Sequence, residues 1–403
     1  MWTASGISAL GDGVRLAALP LLAAGITRDP LAVATVSIAT GLPWALFALV
    51  AGALVDRLDR RRVMGIADLA RFVTMGAVGL IVATHHATIA WLCVAGFALG
   101  TAETMFDNAS QAILPHVVAR PSLESANSRL QSVEIVAASF VGPPVGAVLF
   151  ATLAALPFLV DSGSFLVAAL LVLTLSGSYR VPRQGPRRRL HTEIAEGLSW
   201  LWHHQLIRSL ALMLAVWNLV SAANMAILVL YALRSLHLTT TGFGLLLTTE
   251  AVGAVLGSLV ATRVIRRLGP APTLSVLVLL GAASYLGVAL AHNAYLAAAL
   301  LGVEGLVGLI WNVTTVSARQ VIIPTELFGR VNSVYRFLSW GVLPVGAALG
   351  GVLASRFGLR APFVVAAVTL VVMLVFGRRA VNPRTFAQAY AEAERPPSDL
   401  LSP

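Results

Sequence analysis

A chain of 403 residues that is 58% hydrophobic and only 11% charged has too little polar surface to enclose one soluble core, so most of it must lie in lipid. Its net charge of +10 comes from 28 basic residues, all arginine, but they fall between apolar runs, which reads as membrane topology and argues against nucleic-acid binding. Cys93 alone gives no disulfide framework, the eight histidines lack ligand spacing, and no phosphate-binding loop occurs, so no metal, cofactor or ATP chemistry is expected.

At roughly 20 apolar residues per crossing, twelve spans are predicted: 3–26, 33–55, 63–83, 88–109, 127–151, 156–176, 207–233, 242–264, 273–291, 295–317, 331–355 and 361–376. The first lacks a basic leader and is read as a retained helix. Odd-numbered turns carry few arginines (Arg28, Arg234, Arg356, Arg360). Even-numbered turns carry many, among them Arg57, Arg60 to Arg62, Arg183, Arg187 to Arg189, Arg266 and Arg267. The positive-inside rule then puts both termini in the cytoplasm of a multi-pass inner (plasma) membrane protein.

The longest polar interruption divides the chain. The expected organisation is a six-helix half over 1–177, a cytoplasmic linker over 178–206, a second half over 207–380 and a disordered tail over 381–403. Within the linker, Glu193 to Trp202 is predicted as an amphipathic segment at the membrane interface, with Ile194, Leu198, Leu201 and Trp202 on one side. The halves repeat one another. Gln111-x-x-x-Pro115 is matched by Gln320-x-x-x-Pro324, Asn127-Ser128 by Asn332-Ser333, and Gly142-x-x-x-Gly146 by Gly346-x-x-x-Gly350. Parallel duplication of this kind is one way transporters are built.

The turn after the second span reads Gly52-x-Leu54-x-Asp56-Arg57-x-x-Arg60-Arg61. It resembles the loop signature of the major facilitator superfamily of secondary transporters, with Asp59 where that family usually has glycine. The resemblance implies an all-α membrane fold of twelve transmembrane helices in two pseudo-symmetric six-helix halves, and assigns Gly52, Asp56 and Arg60 to a cytoplasmic gate. Arg57, Arg61 and Arg62 read as topology anchors. Leu10-Gly11-Asp12-Gly13, Pro30-Leu31-Ala32-Val33 and Glu196-Gly197-Leu198-x-Trp200 resemble the enterobactin-exporter-like subgroup, which exports drugs and siderophores, usually against protons. Gly142-Pro143-Pro144-Val145-Gly146 is similar to the antiporter motif of the fifth helix and departs from it at Ala147; close helix packing already accounts for it.

Ionisable groups inside a bilayer are costly and need a partner or water. Asp12 and Arg15 lie three apart on one helix face, as a structural pair or a functional one. Glu103 and Asp107 lie four apart on the fourth span and are candidates for proton coupling, Glu103 the deeper of the two. Asp12 and Glu304 are further candidates; Glu134, Glu250, Glu304 and Arg336 read as isolated. Arg15, Trp217, Asn218, Asn224, Trp311 and Asn312 are candidate substrate contacts, since the facilitator resemblance places the first, fourth, seventh and tenth helices around the cavity. The tryptophans read equally as packing.

The expected function is secondary active transport, with proton-coupled export of a small amphiphilic molecule (drug or siderophore) by rocking of the two halves. Expected partners are that small molecule, protons and the lipid bilayer, with the chain a monomer. An uptake carrier for a small metabolite and a non-transporting sensor or partner are the alternatives. A membrane enzyme would need its acids clustered near one membrane edge, whereas here they are spread over several helices.

Overall fold

The structure is a computed structural model describing residues 2–55, 58–117, 131–174 and 190–393. Among these, eleven helices are long and apolar enough to cross a membrane, and the shorter, 17-residue apolar helix Ala361–Gly377 stands in the place of the twelfth expected span. In chain order the first half comprises α1 (Trp2–Ile26), α2 (Pro30–Val55), α3 (Arg60–Ala83), α4 (Ile89–Val117), α5 (Gln131–Thr152) and α6 (Leu156–Leu173). The linker helix is α7 (Leu190–His203). The second half comprises α8 (Gln205–Leu230), α9 (Thr240–Leu268), α10 (Pro270–Leu290), α11 (Ala294–Ile322), α12 (Thr325–Trp340), α13 (Leu343–Phe357) and α14 (Ala361–Gly377), followed by α15 (Pro383–Ala393).

Local chemistry fixes many helix ends. Asp59 N-caps α3 by accepting from the Arg61 amide at 3.1 Å, which accounts for an acid at a place where glycine was the expectation. Arg61 donates to the Leu173 carbonyl at 2.7 Å, neutralising the negative end of α6. Thr239 and Asn293 cap α9 and α11. Gly358, at φ 90°, closes α13 in a conformation that side chains resist.

Three expected spans are irregular, the seventh ending in a π-helical stretch, Tyr231–Ser235. The fifth carries a π-helical stretch, Val136–Val141, just before Pro143 and Pro144. The eleventh, expected as one helix, is broken between α12 and α13, where Pro344 has no amide to offer the Trp340 carbonyl. The irregularities of the fifth and eleventh fall at equivalent places in the repeat, within about a turn before each Gly-x-x-x-Gly pair.

The duplication is visible in the packing. α1 packs on α5 and α8 packs on α13; α2 packs on α4 and α9 on α11; α3 packs on α6 and α10 on α14. The glycine pairs serve the same purpose in both copies. A Cβ on Gly146 would strike the Val14 carbonyl of α1, and one on Gly350 would strike the Ala223 carbonyl of α8. Backbones touch there because no side chain intervenes.

The halves meet along two seams, α2 with α13 and α5 with α9. In the first the helices run antiparallel: Gly351 sits against Leu31 and Ala34, Gly41 against Pro344, and Trp44 against Trp340 at 5.7 Å. In the second, Gly244 sits against Pro143 and Ala147. Arg234, in the π-helical stretch Tyr231–Ser235 that continues α8, donates to the Arg28 carbonyl at 2.9 Å. From the Trp44–Trp340 pair at mid-depth these contacts run to the odd-numbered turns, so the halves are closed at that end.

The two peripheral helices correct expectations. The helix expected between Glu193 and Trp202 forms, but its expected apolar side is divided: Leu198 (42%) and Trp202 (51%) are exposed while Leu201 is buried. Its buried stripe is Gly197 and Leu201, held against α12, where a Cβ on Gly197 would lie 2.7 Å from the Arg330 carbonyl. Glu196 pairs with Arg330 at 2.7 Å. The tail expected to be disordered from residue 381 instead forms α15 over Pro383–Ala393. The Asn382 side chain accepts from the Arg384 and Thr385 amides at 2.9 and 3.1 Å, and Phe386 and Ala389 are buried on the second half.

Candidate functional site

Between the halves lies a cavity of about 440 Å³ lined from α1, α2, α4, α8 and α13. Its walls are mostly apolar, with Leu16, Leu19, Val33, Val36, Met225 and Leu343 among them, and its charged groups come only from the first half: Asp12, Arg15 and Glu103. Ser37, Thr40 and Ser221 add hydroxyls. Close approach of α4 to α2 depends on Gly96 and Gly100, where a Cβ would strike Thr40.

Arg15 joins the charged groups. Its Nη2 donates to Asp12 Oδ1 at 2.9 Å and to Glu103 Oε2 at 3.3 Å, with side chains 11%, 28% and 33% exposed respectively. The three-residue spacing on α1 sets the first bond and the packing of α1 near α4 sets the second. One guanidinium can serve two carboxylates through its forked donors, yet the charges do not balance. When both acids are ionised the cluster holds one negative charge in excess, facing an apolar chamber. An ammonium group or a proton arriving there would meet a site already missing one positive charge.

Behind this cluster lie buried charges that the sequence reading did not single out. Asp68 and Arg71 of α3 pair at 3.6 Å, and the Arg71 guanidinium lies between the Phe106 and Phe165 rings at 4.9 and 5.2 Å. Asp161 of α6 is wholly buried. The signals were present: Asp68 and Arg71 repeat the three-residue spacing of Asp12 and Arg15, and Asp161 is a lone charge in an apolar helix. Asp107, one turn beyond Glu103, faces Arg71 and Glu134.

The other expected site residues fall elsewhere. Trp217 and Trp311 are buried (8% and 3%) and stack on each other at 5.7 Å, with Trp217 against Gly281, so they pack α8 to α10 and α11 rather than line this cavity. Asn218 donates to the Ser339 carbonyl at 2.7 Å, Asn224 is 4% exposed, and Asn312 is exposed and not among the residues lining the cavity. Glu304 is not isolated: it is buried beside Ser284 and Tyr285 and faces Glu250 of α9. Gly52 lies in the last turn of α2 and Arg60 is a buried residue opening α3, while Asp56 lies outside the described residues. No group of three or more potential metal ligands occurs among the described residues.

Twelve helices in two copies around a central chamber define a transporter of the major facilitator fold. The sequence model of the transmembrane secretion effectors matches residues 1–402, and the chain belongs to that family. The multidrug efflux pump Tap of Mycolicibacterium fortuitum is 30% identical over 375 residues, covering 88% of each chain. A bacterial homologue of the human lysosomal transporter spinster, inward-facing, superposes with a TM-score of 0.76 at 14% identity over 96% of each chain. A bacterial homologue of the iron transporter ferroportin superposes at 0.72 in its inward-facing state (17% identity, 98% of each chain) and at 0.62 in its outward-facing state (18% identity, 97% and 98%).

Proposed function

We propose that this chain exports a small amphiphile carrying positive charge, in exchange for protons, by alternating access between its two halves. The observation that carries this reading is the apolar chamber whose Asp12–Arg15–Glu103 cluster holds two acids to one base. Apolar walls accept the greasy part of a cargo, and the surplus carboxylate accepts its cationic end. Cargo and proton each offset one negative charge in this half, and the binding of one disfavours the other, which couples their movements in opposite directions. Glu103 is the acid we assign to the cargo, because it is the more exposed and the more weakly held by Arg15; Asp12 keeps Arg15 in place.

Export is supported by the relationship to Tap, a multidrug efflux pump. The odd-numbered turns, being arginine-poor, are assigned to the outside, so the seams described above close the outer end and the chamber faces the cytoplasm, as cargo loading for export requires. The better superposition on an inward-facing than an outward-facing state of one transporter agrees with this. Gly52, Asp56 and Arg60 are assigned to the gate that closes the cytoplasmic end in the other state.

The test is growth of an efflux-deficient bacterial host expressing the chain against a panel of cationic antibiotics and dyes, ethidium among them. The wild type is expected to protect, and Glu103→Gln to fall to the level of the empty vector while reaching the membrane in equal amount. Equal protection by the variant would remove Glu103 from the mechanism. Absence of protection against every cationic compound would sink the export reading.

A further inference from the structure

Asp161 sits on α6 where α6 packs against α1, α3 and α5. It is 0% exposed, its Oδ2 has no hydrogen-bond partner, and its Oδ1 receives only the Ser164 hydroxyl at 3.4 Å. Gly11 of α1 makes room for it, since a Cβ there would strike both Asp161 Oδ1 and Ser164 Oγ. The ionisable groups facing it are Asp12 and Arg15 on α1 and Arg71 on α3; α5 presents none from Gly142 to Thr152. Both arginines are already engaged, Arg15 by Asp12 and Glu103 and Arg71 by Asp68. Among the described residues Asp161 therefore makes no ion pair. An unpaired carboxylate with an unfilled oxygen in a dry interior is too costly to persist, so the group at this point is a carboxylic acid.

We propose that Asp161 is the inner binding site for the exchanged proton, and that Arg15 senses its charge by trading Glu103 for Asp161. This rests on the export reading and specifies where its proton resides. In the empty chamber Arg15 is held by Asp12 and Glu103, and Asp161 keeps its proton. When a cationic cargo takes Glu103, Arg15 loses its weaker partner and turns toward Asp161. The Asp161 O–H bond breaks, its proton passes to the neighbouring Asp12 carboxylate and from there to chamber water, and the Asp161 anion pairs with Arg15. Cargo release reverses the sequence: water on the opposite side returns a proton through Asp12 to Asp161, and Arg15 goes back to Glu103. Charge balances at each stage, one positive charge arriving as one proton leaves.

The test uses the full chain, wild type and Asp161→Asn, purified and in proteoliposomes. Asparagine mimics the uncharged acid, so the variant is expected to melt at the same temperature as the wild type. Its infrared spectrum at neutral pH should lack the C=O stretch of one protonated carboxyl. In proteoliposomes, ethidium accumulation driven by a proton gradient should fall to the level of protein-free vesicles, while gradient-free ethidium counterflow persists; Asp161→Glu should restore part of the driven accumulation. An intact carboxyl band, a sharply lowered melting temperature, unchanged driven accumulation or loss of counterflow together with it would each overturn the assignment. If the wild type moves no ethidium in either assay, the export reading fails, and the infrared band and melting temperature still decide whether Asp161 holds a proton.

Discussion

At the scale of single residues, the chemistry of this chain is a matter of how few bases serve how many acids. Arg15 holds two carboxylates and Arg71 one, and the surplus is what a cation or a proton can answer. A second titratable residue has a structural duty. His204 caps α8, its Nδ1 accepting from the Ile207 amide at 3.3 Å, and its ring stacks on Trp200. Burial lowers its pKa from the ordinary 6.5, with Glu392 opposing. A depressed folded-state value means the neutral form stabilises the fold above the unfolded pKa, and this is lost as pH falls through the folded one. Acidification below about pH 6.5 should therefore remove about 1 kcal/mol of stability, the usual worth of a cap. His204→Asn, which caps at any pH, should flatten that part of a melting-temperature profile. The cost of charge in a bilayer made Asp12, Arg15 and Glu103 legible in the sequence, and the same argument applied to the third and sixth spans would have found Asp68, Arg71 and Asp161. The tryptophans were not legible, because a side chain that stacks on another helix and one that faces a ligand are written with the same letter.

At the scale of elements, small residues set how closely helices approach. Gly197 lets α7 lie on the Arg330 backbone, and Glu196 fixes the register through Arg330. Valine at position 197 would overpack this contact, at a cost of about 1–3 kcal/mol. Gly197→Val should lower the melting temperature and expose the linker to limited proteolysis, whereas Leu198→Ala, on the outer face, should do neither. Periodicity foretold that α7 is a helix but not which face is covered, since the glycine in its buried stripe contributes nothing to a hydrophobic pattern. The helix after Ala380 was legible in principle. Asn382-Pro383 is a start signal and Phe386, Ala389 and Tyr390 share a face, but acids and prolines further along gave the whole tail the composition of disorder.

At the scale of the whole molecule, the repeat written in Gly-x-x-x-Gly and Gln-x-x-x-Pro foretold the two-copy architecture, because each copy must solve the same packing problem. Which end is closed was not legible, since one sequence must support both states. The copies match in backbone yet differ in charge: every ionised wall of the chamber belongs to the first. That lopsidedness has an electrical consequence. On the export reading, the carrier presents the same total charge to the membrane field whether it returns with a proton or leaves with a monovalent cargo. Swapping ethidium for a proton should thus be voltage-silent, and clamping the vesicle potential with potassium and valinomycin should leave its rate unchanged at fixed proton gradient. A neutral cargo would make the same cycle draw current, so the voltage response reads out the valence of whatever the chamber holds.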